Sequence, residues 1–307
     1  MVLHIDSIQL SEEGPDRIKM SGTKGSPAPE TTKANCFYPN GFRTMMLAYV
    51  TGRDAGRKTE WLRQQIQEIA DNLPLDDYRF EPLGHVLDDP KNQREATMAI
   101  RIAIAAQDKR TLKSFMADFG GLWLGSLPGF HGENAAKVTS RAEFWPGLVL
   151  QSEIKHLAVF EGGQFIEAEM PPTKAFTRTP PPSSGNGIAK DYGPTKLVPF
   201  GDVVHARSGD KGANANLGVW TDNPDAAEWL SGFLTTERFA SLIGLPENID
   251  VERYPMGNIG GVYFVLNNYF GVSGTSNIGL DQIGKGLGEF LRSRIVDVPV
   301  KFFKKTN

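Results

Sequence analysis

A single cysteine, Cys36, stands in 307 residues, so an intrachain disulfide is excluded and no cysteine pair has metal-ligand spacing. A cytoplasmic protein is expected. A lone strand cysteine is usually a small core residue, and Cys36 would be a nucleophile only with a base beside it. Histidine is sparse too. His4, His85, His131, His156 and His205 show no HExxH or HxH pairing, so neighbouring positions offer no two-histidine zinc site. No metal and no cofactor is expected. No window approaches the roughly 18 apolar residues of a membrane span. The opening segment, MVLHIDSIQLSEEGPDR, carries acids where a signal peptide needs a basic head and then an apolar stretch. Neither membrane nor export is expected. Positive charge is not in excess: 33 Lys plus Arg against 36 Asp plus Glu give a net charge of -3, so no global attraction draws phosphate backbones or anionic lipid. Nucleic acid is not an expected partner.

What is present is an ordinary globular mixture, 40% apolar and 22% charged, in a chain long enough for two cores. A seam separates them. Between about Gly162 and Pro199 stand Pro171, Pro172, Pro180, Pro181, Pro182, Pro194 and Pro199, interleaved with Ser, Thr and Gly. Proline removes backbone donors and glycine raises the entropy cost of order, which predicts an extended crossover or linker. The division expected is 1–161, a linker over 162–199, and 200–300.

Before the seam, Thr44 to Val50 reads as a strand, preceded by Asn40-Gly41 as a hairpin turn. Leu62, Ile66, Ile69 and Leu73 recur at helical spacing over Asp54 to Leu73. Ile100, Ile102 and Ile104 alternate with Arg101 and Ala103 as in a half-buried strand, and Leu112, Phe115, Met116, Phe119, Leu122 and Trp123 form a helical stripe. These Met and aromatic stripes read as packing. In Pro128-Gly129-Phe130-His131-Gly132 the sequence suggests a cap and turn with His131 exposed.

After the seam, strands are expected at Asp202 to Arg207 and Asn216 to Trp220. Asn223-Pro224-Asp225 then supplies a cap, a proline at the first helical position and an acid at the positive helix end. The helix would bury Ala226, Trp229, Leu230, Phe233, Phe239 and Leu242 and stop near Gly244. Strands near Asp250 to Tyr254 and Gly261 to Tyr269 follow. A helix with Leu280, Ile283, Leu287, Phe290 and Leu291 on one face leads into Ile295 to Val298. The sum is βαββαβ with an extra leading strand. The fold class expected is α+β: an N-terminal α/β domain followed by a C-terminal ferredoxin-like, or split βαβ, domain.

Two polar segments are not explained by packing. His205 to Asn216 sets Arg207, Asp210 and Lys211 around Ser208, Gly209 and Gly212, so the backbone turns sharply while the side chains offer both charge signs. A carboxylate or phosphate suits such a loop, but GxxxxGK[ST] is absent and ATP chemistry is not indicated. Asn214 and Asn216 alternate with alanine, and their amides need each other, water or a ligand. An ordinary solvated Asp-Lys-Gly turn is the bland alternative, and His205 suits a hydrogen-bonded edge position as well as catalysis. In the second segment, Ser273, Thr275 and Ser276 lead into the helix expected from Leu280, where loose backbone donors would suit an anion unless Asp281 caps the same end. Gly284 and Gly288 inside that helix predict a close backbone neighbour.

HARSGDKGANANLGVW, followed by YPMGNIGGVYFVLNNYFGVSGTSNIGLDQIGKGL, resembles the AtuA family of acyclic terpene utilisation. The resemblance extends upstream through Gly25-Ser-Pro-Ala-Pro-Glu-Thr-Thr-Lys, Tyr38-Pro-Asn-Gly-Phe, Phe130 and Phe144-Trp-Pro-Gly147. It implies a ferredoxin-like domain opened by the Arg207 segment and closed by the Gly271 segment. AtuA-like proteins usually carry a large α/β region ahead of the segment with which this chain begins. Its absence implies a truncated chain, a subunit whose other half is a separate polypeptide, or a stand-alone descendant. The activity implied is that of a metabolic enzyme or subunit acting on a branched acyclic terpenoid or acyl-CoA type acid, with hydro-lyase or related acid/base chemistry. Residue chemistry gives the roles: Asp210 and Lys211 catalytic, Arg207 and Lys211 on the substrate's anion, and Ser208, Asn214 and Asn216 orienting it beside Ser273, Thr275 and Ser276. The competing expectation is a non-catalytic assembly or ligand-binding module. The partners expected are a small-molecule acid or acyl-CoA and a second copy, or a subunit supplying the absent region.

Overall fold

The structure, a computed structural model, describes residues 2–4, 7–125, 127–133, 136–175 and 190–303. Pro180, Pro181 and Pro182 of the expected linker lie outside the described residues. The chain separates into a small unit, residues 1–36 and 145–180, and a large unit, residues 37–144 and 181–307. No described helix is long and apolar enough to cross a membrane.

The small unit is built from two-stranded pieces. Gln9–Gly14 turns back on Arg17–Ser21 with Asp16 at φ 57°, Val2–His4 pairs with Lys24–Ser26, and Leu157–Val159 pairs with Phe165–Glu167. A ribbon without a covering layer buries little. Ala28 is the one buried apolar residue among the described positions of this unit, while Leu10, Ile18, Met20, Phe165 and Ile166 are exposed. Cys36 is exposed as well, not a core residue, because the strand around it, with Phe37 and Tyr38 also exposed, is uncovered.

The first layer of the large unit is built from β1 (Thr31–Thr51, in this unit from Phe37), α1 (Ala55–Asp71), β2 (Asp77–Leu83), β3 (Thr97–Ala106), α2 (Lys109–Gly125), β4 (Phe130–Gly132) and β5 (Thr139–Leu150, in this unit to Phe144). The sheet order is β5-β1-β3-β2, with β4 also on β1. Period-two alternation puts Met46, Ala48, Val50, Ile100, Ile102 and Ile104 on one face, where Leu62, Ile66, Leu112, Phe115 and Phe119 of the two helices bury them. Strand β3 is not half-buried as its alternation predicts: Arg101 and Ala103 are buried too, because Ile278 packs on Ala103 and Ala105 from the other side. Asn40-Gly41 is no hairpin turn. The strand continues through it, and Gly41, at φ 76°, lets the Ala106 carbonyl approach to 2.5 Å of where a Cβ would stand.

The second layer comprises β6 (Thr195–Pro199), β7 (His205–Lys211), β8 (Asn214–Trp220), α3 (Pro224–Phe233), α4 (Thr236–Ile243), β9 (Val251–Met256), β10 (Gly261–Leu266), α5 (Leu287–Ser293) and β11 (Ile295–Pro299). The expected βαββαβ order is present. The four-stranded antiparallel sheet runs β7-β8-β10-β9, so the leading strand occupies an edge and the closing strand β11 pairs with β6 instead. Ala215, Leu217, Val219, Val262, Phe264 and Leu266 face the helices and form the core with Leu230, Phe239 and Leu291.

Local chemistry sets the helix ends. Asn223 accepts the Asp225 N–H at 3.0 Å and Pro224 opens α3, as its sequence predicts. The continuous helix expected to Leu242 is two helices: Thr235 caps α4 by accepting the Arg238 N–H, and the Arg253 guanidinium takes the carbonyls of Leu234 and Ser231 at 3.0 and 2.5 Å. The helix expected from Leu280 begins only at Leu287. Asp281 accepts the N–H groups of Lys285 and Gly286, each at 2.8 Å, and Gly284 turns the chain at φ 64°, so 280–286 is a folded loop. Gly284 therefore lies outside the helix, and the reading of 273–276 as a helix N-terminus does not hold.

Phe239 and Phe264 are fully buried and stacked at 4.0 Å. Phe239→Ala is expected to lower unfolding free energy by about 3–5 kcal/mol in urea titration, whereas Trp61→Ala, on an exposed face, stays within about 0.5 kcal/mol of wild type.

Candidate functional site

The charged hairpin and the small-residue loop meet. A Cβ on Gly274 would stand 3.2 Å from Asp210 Oδ2 and 2.9 Å from both the Gln282 carbonyl and Ile283 Cγ2. One on Gly284 would stand 3.3 Å from the Gly209 carbonyl. Ser208 fixes the contact: its buried hydroxyl donates to the Gly284 carbonyl at 2.5 Å and accepts the Gly288 N–H at 2.9 Å. Glycine is needed at both loop positions because a side chain would meet the Gln282 carbonyl at one and the Gly209 carbonyl at the other.

Strand alternation sorts the expected residues into two sets. Arg207, Gly209 and Lys211 pair with Gly218, Asn216 and Asn214 on the face away from the helices, while Ser208 and Asp210 pair with the buried Leu217 and Ala215. Arg207, Lys211, Asn214 and Asn216 therefore share one face and Asp210 does not. Asn214 is engaged locally, donating to Asn267 Oδ1 at 3.1 Å and accepting the Asn268 N–H at 2.8 Å. Asn216 Oδ1 lies 4.0 Å from the Cβ position of Gly209, and Lys285 Nζ lies 2.7 Å from it. Lys285 thus reaches over the bare backbone of Gly209. Within the described residues, Arg207, Lys211 and Lys285 form no ion pair, and the half-buried Asp210 carboxylate has no hydrogen-bond or ion-pair partner.

The hydroxyls of the second segment turn toward a residue that sequence reasoning misses, Glu143 on β5. Its carboxylate accepts the Ser273 N–H at 2.8 Å, the Ser276 hydroxyl and, at 3.4 Å, the Asn40 amide. Ser273 Oγ accepts the Phe144 N–H at 3.0 Å and lies 2.7 Å from the hydroxyl of exposed Thr275. Burial pushes the Glu143 carboxyl up, but the donors Ser276, Ser273 and Asn40 outweigh it and hold the group below its ordinary value. Further along, Arg101 donates to the Ile278 carbonyl at 2.7 Å and Glu81 accepts the Leu280 N–H at 3.1 Å. The one signal in the sequence is the alternation of charged Arg141 and Glu143 along a strand, both of them buried. Lys285, between two glycines, is the other residue missed.

His205 takes the edge role: it stacks on Trp220 and bonds Asp222 at 2.9 Å. His131 is exposed and lies against Tyr49. Among the described residues no group of three His, Cys, Asp or Glu side chains is placed to hold a metal.

Because the Glu143 carboxyl is more acidic folded than unfolded, its contribution to stability is complete above the ordinary value of 4.5 and is lost as pH falls through the folded value. In Glu143→Gln this dependence is absent, so urea midpoints of variant and wild type should converge between about pH 6 and about pH 3. At neutral pH, Glu143→Ala strands several buried donors and should cost about 1–3 kcal/mol. A constant gap between Glu143→Gln and wild type across that range would count against this role.

The model of the Acyclic terpene utilisation family protein AtuA matches residues 1–160, and that of the AtuA ferredoxin-like domain matches residues 198–297. No curated protein and no solved structure matches the chain. With the first match covering more than half its length and the second falling on the four-stranded sheet and its helices, the chain belongs to the AtuA family of acyclic terpene utilisation.

Proposed function

We propose that this chain is an enzyme, or the substrate-holding subunit of one, in the use of branched acyclic terpenoids, and that it holds the anionic end of an acyl acid or acyl-CoA on the helix-free face of the four-stranded sheet. The observation that supports this is the Lys285 ammonium above Gly209, with Arg207 and Lys211 on either side along the same strand face. Like charges that form no ion pair among the described residues repel one another, and a bound carboxylate or phosphate offsets that cost. Asn216, beside the same notch, orients the group. Asp210 lies near the hairpin end of β7 on the opposite face, against the bare backbone of Gly274. The substrate bends around the turn at 211–214, and Asp210 serves as acid or base in a hydro-lyase-type step. Ser208, Ser273 and Ser276 act as positioning residues through the loop they hold.

A second reading, an assembly module working with another copy or subunit, is favoured by the exposed apolar side chains of the small unit. Light-scattering mass, read with and without a branched acyl acid, separates the two.

Lys285→Gln and Arg207→Gln should each weaken binding of a branched acyclic acid or its CoA thioester by about tenfold. Gly209→Ala displaces only the flexible end of Lys285, so it should weaken binding while leaving the urea midpoint near wild type. Asp210→Asn should bind and fold but not turn over. Unchanged affinity in all three binding variants, measured by calorimetry, rejects the site.

A further inference from the structure

The helix-free face of the first sheet holds a cleft of about 330 Å³ bordered by Arg43 and Met45 of β1, Arg101 of β3, Lys137, and Ile278 and Gln282 of the loop. Its charges do not balance. Arg101 is paired with Glu81, Arg79 with Asp77 at 3.2 Å, and Arg141 with Asp76 at 2.5 Å. Among the described residues Arg43 has only neutral partners: Nη1 donates to the Asn277 carbonyl at 3.2 Å and to Gln282 Oε1 at 3.4 Å. Lys137 is exposed and forms no ion pair within the described residues.

Glu81, Asp77 and Asp76 are thus engaged by other cations, and Asp281, beside Gln282, by the backbone N–H groups of Lys285 and Gly286. Burial, followed by the nearby charges of Arg141 and Arg101, makes the Arg43 proton easier to lose than usual, a sign that this guanidinium is short of counter-charge. Part of the wall is apolar, with Met45 half exposed and Ile278 covering Ala103, and Thr44 and Thr139 complete the lining. A volume at the low end for small-molecule sites, with one forked cation, one flexible cation and an apolar wall, fits a small oxyanion on a short apolar body.

We propose that this cleft is a second ligand site, separate from the Gly209 notch, that binds the carboxylate or phosphate group of a small metabolite between Arg43 and Lys137. The proposal does not depend on the function assigned to the four-stranded sheet, because it uses none of the same residues.

Calorimetric titration of the full chain with inorganic phosphate and with 3-methylbutanoate, in chloride-matched buffer, tests it. Both titrations are repeated in the double variant Arg207→Gln/Lys285→Gln, which removes two of the three cations of the other site. One of the two anions should bind at one per chain in that background, phosphate marking a phosphate ester and 3-methylbutanoate a carboxylate. Adding Lys137→Gln, an exposed change that spares the fold, should weaken that binding by roughly tenfold, and Arg43→Gln by at least as much. Binding of neither anion, or an affinity that Lys137→Gln leaves unchanged, overturns the proposal.

Discussion

The loop from Ser273 to Gly286 has no ladder of its own, and its position depends on one buried carboxylate. Glu143 receives a backbone N–H from Ser273 and a hydroxyl from Ser276 without a cation beside them. A buried carboxylate is costly unless its lone pairs are satisfied. The same bonds that stabilise the charge therefore dictate where Ser273 and Ser276 lie. Arg101 on the Ile278 carbonyl and Glu81 on the Leu280 N–H extend this control from β5 across to β3 and β2. The middle of the loop becomes a layer over the first sheet, and Ile278 fills the space above Ala103 and Ala105.

What lies beyond Ile278 is delivered to the second sheet, and the topology there makes the delivery possible. Strand β7 is an edge strand, with β8 on one side only. Had the closing strand joined the sheet at that edge, the space now used by Gly284 and Gly288 would hold a backbone ladder. Because β11 pairs with β6 instead, the β7 edge is covered by the loop and the start of α5, with Ser208 as the fastening. Gly209, Gly274 and Gly284 all stand where one segment comes within contact of another, and that proximity carries Lys285 over Gly209.

The parts of this arrangement set by neighbours in sequence are legible from the residues. Asn214-Ala-Asn-Leu-Gly-Val-Trp220 alternates in burial residue by residue, and Asn223-Pro224 starts a helix as its chemistry demands. The parts set by distant partners are not. Leu280, Ile283 and Leu287 share a helical spacing, yet Asp281 and Gly284 close a local turn that no periodicity reveals. The Ser/Thr cluster looks like a loose anion site because its acceptor, Glu143, lies 130 residues from Ser273. Strand β3 reads as half-buried because the residue covering its second face, Ile278, is equally remote. The two faces of β7 could have been told apart from alternation alone: Arg207 and Lys211 fall on one side, Ser208 and Asp210 on the other.

A nearly balanced composition does not make a neutral surface. The 36 acids outnumber the 33 bases, so among the described residues Arg43, Lys137, Arg207, Lys211 and Lys285 lack acidic partners by placement and not for want of acids. Charges separated by more than a screening length of about 8–10 Å barely feel one another at physiological salt. An anion arriving at either place therefore responds to the local cations and not to the overall sign of the chain. The loop supplies something to both. Gln282 and the Asn277 carbonyl orient the Arg43 guanidinium, and Lys285 follows three residues after Gln282. Both cationic places therefore draw on residues of one loop, the first part of which is held by the bonds that Glu143 accepts.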